Sequence, residues 1–341
     1  MISLAARREP AKDYSGRMKN VLILGGTGFV GSHVCEKLVR AGWTVTLATR
    51  RRSNARHVMH LPSLTVQELD VHDASALERA AAGQDAVVNL VAILHGTQAA
   101  FDKAHVELPQ KIADACARAG VGRLVHISAL GVNAQKPGTL PSMYLRSKSM
   151  GEAILLASCS QLALTILRPS VIFGAGDKFL NVFAGLQKVF PFMPLAGAEA
   201  RFQPVWVEDV AAAVVKSLER SGAGVQTLEA CGPEVFTLKQ LVEISAKLAG
   251  VNEGRGRPVF GIPAWAGALQ ARMMEMMPGA PLMSRDNLDS MRVPNVATPG
   301  MPGLSTLGLE PAALQAIARD YLSQGSPWHD LLGVRLRSHF R

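Results

Sequence analysis

Tyr144 and Lys148 stand four residues apart, the spacing that puts two side chains on one face of a helix. An ammonium beside a phenol favours the phenolate and lowers its pKa, so the pair reads as a proton donor or acceptor. The spacing recurs by chance, and its meaning depends on what comes before it. Upstream, the run Leu22-Ile23-Leu24-Gly25-Gly26-Thr27-Gly28-Phe29-Val30-Gly31 breaks an apolar strand into glycines where a helical pattern begins, through Val34, Leu38 and Val39. Gly25 lets the chain turn sharply, Gly28 lets backbone approach a pyrophosphate, and Gly31 lets the helix lie close on its strand. Thr27, Phe29 and Val30 complete the turn and first helical residues, whose N–H groups and positive dipole end receive phosphates. The plainer alternative is a glycine-rich turn without a ligand. With a dinucleotide in that turn, Tyr144 works beside the nicotinamide and Lys148 can also hold the nicotinamide ribose.

The residues at the following strand ends extend the site. Thr44 to Ala48 is a second strand, closing at Thr49-Arg50-Arg51-Arg52 where the adenosine ribose lies. An acid there binds the 2′-hydroxyl of NAD, whereas arginine takes a 2′-phosphate, so Arg50 and Arg51 favour NADP(H), with NAD(H) as the alternative cofactor. A basic surface cluster is the competing account. Leu64 to Leu69 ends in Asp70-Val71, where the acid can bond an adenine amino group and the next N–H can meet the ring. Asp70 is otherwise a turn acid or a helix cap, a role open to Asp73 as well. Asp85 to Ala92 reads as one apolar strand whose small end, Leu90-Val91-Ala92, lets the cofactor lie across the strand tips.

Stepping along the chain, helices are expected over Ala74 to Ala81, Ala99 to Ala119 and Tyr144 to about Ser158, with strands at Leu124 to Ile127 and Leu162 to Leu167. Strands alternating with helices over short connections mean an α/β, Rossmann-type, doubly wound parallel sheet. After Gly174 that alternation stops. Phe179 to Gly197 reads as an apolar, proline-broken lid or contact surface rather than a sheet element. Val225 to Ala230 is a further strand, and Thr237 to Gln240 has the form of a capping box. A helix from Pro311 to Leu322 closes the pattern. The expected division is a flexible basic tail at 1–18, a nucleotide-binding domain at 19–174 completed by about 203–232, and a smaller C-terminal lobe from 175–202 and 233–341.

The chain has 341 residues and a net charge of +9, which points to acidic partners. Nucleic acid is not expected among them, because the basic residues are dispersed and aromatics are few. No apolar run is long enough to span a bilayer. Cys35, Cys116, Cys159 and Cys231 lack metal-type spacing and read as free thiols of a reducing compartment. The first residues lack an apolar signal core, and Met18 looks like a natural start. The methionine cluster Met273, Met274, Met276 and Met277 fills a core or forms an adaptable surface for a partner or lipid. Arg335, Arg337 and Arg341 give the chain a basic end. The expected location is cytoplasmic, or peripheral on the inner face of the cytoplasmic membrane.

Taken in order, Gly25 to Gly31, Asp70-Val71, Tyr144 with Lys148, and Arg168-Pro169 with Phe173-Gly174 resemble the extended or atypical short-chain dehydrogenase/reductase superfamily. Within it, Tyr144 to Glu152, Ile172 to Gly174 with Asp177 to Asn181, and Gln203 to Val210 are similar to the alpha subcomplex subunit nine family. That family is the NADPH-carrying accessory subunit of respiratory complex I, with bacterial relatives. The resemblance implies a tightly held, structural nucleotide and adds Pro169 to the residues facing it. It also implies a membrane-associated respiratory complex or an anionic membrane surface as partner. A related branch is linked to ubiquinone biosynthesis, which keeps an NADPH-dependent reductase using Tyr144 and Lys148 as the alternative. Superfamily enzymes carry a substrate-polarising hydroxyl near the fifth strand exit. Here Ser128 is the candidate, but Ala129 and Leu130 follow it where a second hydroxyl is usual. The Thr-Asp-Glu arrangement of nucleotide-sugar dehydratases is missing, which disfavours epimerase or dehydratase chemistry.

Overall fold

The computed structural model describes residues 19–158, 162–276, 281 and 283–323. Its centre is a seven-stranded parallel sheet of β1 (Asn20–Leu24), β2 (Thr44–Thr49), β3 (Leu64–Glu68), β4 (Ala86–Asn89), β5 (Arg123–Ile127), β6 (Ala163–Pro169) and β7 (Val225–Ala230). The order across the sheet is β7-β6-β5-β4-β1-β2-β3, so the chain reverses direction beside β1, where Ile23 pairs with Leu47 on one side and Val88 on the other. In open sheets of this kind the crevice at the strand tips of that reversal receives ligands.

Alternation within a strand feeds two cores. Val21 and Ile23 of β1 join the core under α1 (Phe29–Arg40), while Leu22 and Leu24 join the opposite core, and all four are fully buried. Burial on both faces explains why the strands read as continuous apolar runs. On the second face lie α2 (Ala74–Ala81), α3 (Gln98–Asp102), α4 (Leu108–Ala119) and α5 (Met143–Ser158). The helix expected over 99–119 is interrupted by a π-helical turn at Lys103–Glu107. The distortion brings the His105 carbonyl onto Gly151 of α5, where a Cβ would sit 2.0 Å from that oxygen. Such a crossing leaves no signal in the helical period of either segment.

The strand expected to run to Ala92 ends at Asn89. The Asn89 side chain takes over the end: its Oδ1 accepts from Val91 N at 3.1 Å and its amide donates to His126 Nδ1. Leu90, Val91 and Ala92 therefore form a loop at the strand tips.

Beyond β6 the chain builds a second set of layers. The segment 179–197 is not an irregular lid: it contains α6 (Leu180–Val189) and a strand, Met193–Ala196, paired in parallel with Val259–Ile262. A two-stranded pair has free edges, which is where a strand can accommodate Pro194. The helix α7 (Val207–Glu219) returns to pack on α1, and α8 (Leu238–Leu248) starts with the expected capping box of Thr237 and Gln240. Then come α9 (Ala264–Glu275), α10 (Arg285–Ser290) and α11 (Leu314–Leu322), the last starting three residues later than its pattern suggests. Phe173, Leu180, Leu241, Leu314 and Tyr321 form a core of their own, tied by the Tyr321 hydroxyl donating to Asp177. The basic tail at 1–18, Cys159, Met277 and the arginines at 335, 337 and 341 lie outside the described residues.

Candidate functional site

At the glycine turn, Gly25 adopts φ +82°, and a Cβ there would stand 2.9 Å from the backbone of Leu90 and Val91. Gly31 is tighter still: a Cβ would meet Gly26 Cα at 2.4 Å and Gly25 O at 2.5 Å. Gly26, which the motif spacing leaves unassigned, is also crowded, since a Cβ would lie 2.3 Å from Leu47 Cδ1 and 2.8 Å from Ile23 Cγ2, and those side chains would have to shift. Gly28 differs from all three. Its φ is −81°, and a Cβ would make only an ordinary 3.4 Å contact with Gly25 O, so the protein's own packing does not demand a glycine. It is exposed and forms the N-cap of α1, with no side-chain cap and no acid in the first turn. Space over Gly28 and uncapped N–H groups from Phe29, Val30 and Gly31 fit a phosphate group.

Thr27 is half-buried at the same turn. Arg50 and Arg51 are exposed at the end of β2, and no described carboxylate forms a salt bridge with them. The nearby Glu68 is engaged instead by the backbone N–H of Arg52 at 2.9 Å. Among the described residues, both guanidinium groups are therefore free of carboxylate partners. Asp73 caps α2 by accepting from Ser75 N and Ala76 N, which settles the competition for that role. Asp70 accepts only from His72 N in a local turn, next to half-buried Val71, leaving Oδ2 unengaged among the described residues.

The Tyr144–Lys148 pair shares one face of α5 as its spacing requires, yet its wiring departs from expectation. Lys148 is buried and its ammonium donates to the Ile127 carbonyl at 2.7 Å. Burial pulls its pKa down to about 8, with Glu152 opposing that fall. Tyr144 packs edge-on against both Phe101 and His105, with ring centroids 6.3 and 5.6 Å away, and those two rings also pack on each other. Burial pushes its phenol up to about 12, the reverse of the lowering expected from Lys148. Desolvation of the phenolate outweighs an ammonium that is bound to a backbone carbonyl instead. Ser128, immediately after β5, has a buried Oγ with no hydrogen-bond partner. An orphaned hydroxyl at the strand tips fits a polar group of a bound ligand. Pro169 ends β6 nearby, its carbonyl accepting from Leu130 N at 2.9 Å.

Several residues around this pair carry no motif. Ile93 N donates to His105 Nε2, so Nδ1 carries the proton and donates to Ser147 Oγ, which donates to the Tyr144 carbonyl. Burial holds the His105 imidazole down at about 3, helped by Lys148, so the ring is neutral and serves as a scaffold. From far along the chain, Asp286 of α10 accepts from Met143 N at 2.6 Å and Tyr144 N at 3.1 Å. Asn295 Oδ1 accepts from Ser170 Oγ and Val171 N, fixing the loop after Pro169. Isolated histidines and distant capping groups have no local spacing by which a sequence could reveal them.

The model of the NAD dependent epimerase/dehydratase family matches residues 21–230, and the chain belongs to that family. Among curated proteins it is similar to the Mus musculus mitochondrial NADH dehydrogenase (ubiquinone) 1 alpha subcomplex subunit 9, with 30% identity over 302 residues, 86% of this chain and 77% of that protein. It is also 29% identical over 235 residues to the ceramide reductase of Caulobacter vibrioides, covering 68% and 71% of the two chains. Among solved structures, WbmG of Bordetella bronchiseptica in complex with NAD and UDP superposes with a TM-score of 0.66 at 21% identity, over 94% of this chain and 97% of that one. The last likeness is one of fold.

Proposed function

We propose that this chain holds NADP(H) as a structural cofactor and acts as an accessory factor of a quinone-linked respiratory complex, placed at the inner face of the cytoplasmic membrane. The observation that carries the reading is the wiring of the proton-transfer pair: Lys148 is committed to Ile127 O at 2.7 Å and not to the Tyr144 phenol. An ammonium tied to a backbone carbonyl rather than to the phenol favours holding over turnover. Gly28, the uncapped start of α1, Arg50, Arg51, Asp70 and Val71 would hold the phosphates and adenosine, and Leu90 to Ala92 with Pro169 would flank the nicotinamide half. The group when bound supplies hydride chemistry. The similarity to subunit 9 supports the accessory role.

The reductase reading keeps one specific observation in its favour, the unpartnered Ser128 Oγ, free to polarise a carbonyl. The two part company in one assay. Purified protein should oxidise NADPH negligibly with quinones and common carbonyl compounds, and should co-purify with membranes in a salt-sensitive manner. Brisk turnover abolished by Tyr144→Phe would establish the enzyme instead.

A further inference from the structure

The helix α9 is built inside out. Gly267 and Ala271 are its buried residues, and a Cβ on Gly267 would lie 2.6 Å from Ala196 Cβ of the strand pair beneath. The opposite face carries Trp265, Leu269, Met273 and Met276, which are 74%, 56%, 63% and 81% exposed. Their spacing forms one stripe along the helix. A surface helix of a protein with only water around it puts such residues inward. The exposed apolar character continues into the strand pair that leads to α9, where Phe192 and Phe260 stack at 5.9 Å, both about half exposed.

Charge accompanies this face. Arg272 lies within the stripe, Lys188 precedes the aromatic pair, and a groove beside Phe260 is lined by Lys247 and Arg257 together with the acidic Glu243. Among the described residues, none of these four cations forms a salt bridge. Exposed tryptophan, phenylalanine and methionine tips accompanied by cations that form no salt bridge match an interface between acyl chains and anionic headgroups. No described helix is long and apolar enough to cross a membrane, so such contact is with its surface. We infer that the outward face of α9, with the Phe192–Phe260 pair, is the surface by which this chain lies on an anionic phospholipid bilayer, an inference that rests on the membrane-associated reading above and locates its contact.

Flotation of the full chain with vesicles tests this. Wild-type protein should float with phosphatidylcholine vesicles containing about one-third phosphatidylglycerol, and at least tenfold less with phosphatidylcholine alone. The variant Trp265→Ser/Leu269→Ser/Met273→Ser and the variant Lys188→Glu/Arg272→Glu should each bind at least tenfold less, while circular dichroism and retained nucleotide match the wild type. Wild-type indifference to anionic vesicles, or undiminished flotation of the triple variant, overturns the inference. So does a wild-type dimer that the triple variant dissolves, since the face then meets a second copy. Nucleotide content, measured on the same samples, reports separately on cofactor holding, so loss of one reading is not mistaken for loss of the other.

Discussion

Tyr144 shows how burial can reverse a motif's expected chemistry. The four-residue spacing correctly places it on one helix face with Lys148, and spacing conveys nothing about whether the ammonium has a nearer acceptor. The Ile127 carbonyl is that acceptor, supplied by the end of β5, and desolvation then controls the phenol. Phenolate absorbance should consequently show no Tyr144 ionisation below about pH 11, read as the difference between wild type and Tyr144→Phe. A Tyr144-dependent transition near pH 8 or 9 would mean that the two side chains are coupled after all. Among the candidate site residues, the glycines were the most legible because a break from apolar strand to helix at fixed spacing is visible in the sequence. Gly26 escaped notice because its constraint comes from Leu47 on another strand.

At the scale of elements, the first turn separates folding from binding. Gly31→Ala drives a Cβ into backbone 2.4 Å away and should destabilise the fold by about 3 kcal/mol, measured by denaturant unfolding. Gly28→Ala should leave stability within about 1 kcal/mol of wild type yet weaken NADPH binding in calorimetry, because that Cβ makes only an ordinary 3.4 Å contact with Gly25 O and would fill the space proposed for the phosphates. The α1–α7 contact carries its own pH dependence. Glu208 of α7 bonds His33 and, at 2.7 Å, Lys37, both of α1. The His33 hydrogen bond first, and Lys37 with it, hold the carboxyl down at about 2, against an ordinary value of 4.5. A carboxyl with a depressed folded pKa stabilises above its unfolded pKa and loses that contribution as pH falls from about 5 toward 2. Glu208→Gln should therefore lower the melting temperature by roughly 2 to 4 °C at pH 7, with the gap narrowing below about pH 5 and closing near pH 2. Element types were largely readable here because parallel strands buried on both faces leave unbroken apolar runs. The early end of β4 and the π-helical turn were not, since Asn89 bonding His126 and His105 meeting Gly151 are tertiary events.

Over the whole molecule, the sheet supplies the crevice at its strand tips and the C-terminal lobe bonds the segments around it. Asp286 caps the start of α5 at Tyr144, and Asn295 secures the loop after Pro169, so the site is completed by residues more than a hundred positions away in the chain. Asp286→Ala should cost about 1 kcal/mol in thermal unfolding and loosen nucleotide retention, since it frees two N–H donors at the helix start. The lobe was the least legible part: its strands are two to four residues long, and its pairing partners, such as Met193 with Val259, lie far apart in sequence. The central claim is that the crevice holds its dinucleotide rather than exchanging it. Mass spectrometry of the small molecules released on denaturing protein purified without added nucleotide tests this most directly. The account predicts about one NADP(H) per chain; protein that releases no dinucleotide, or releases NAD(H) in its place, would contradict it.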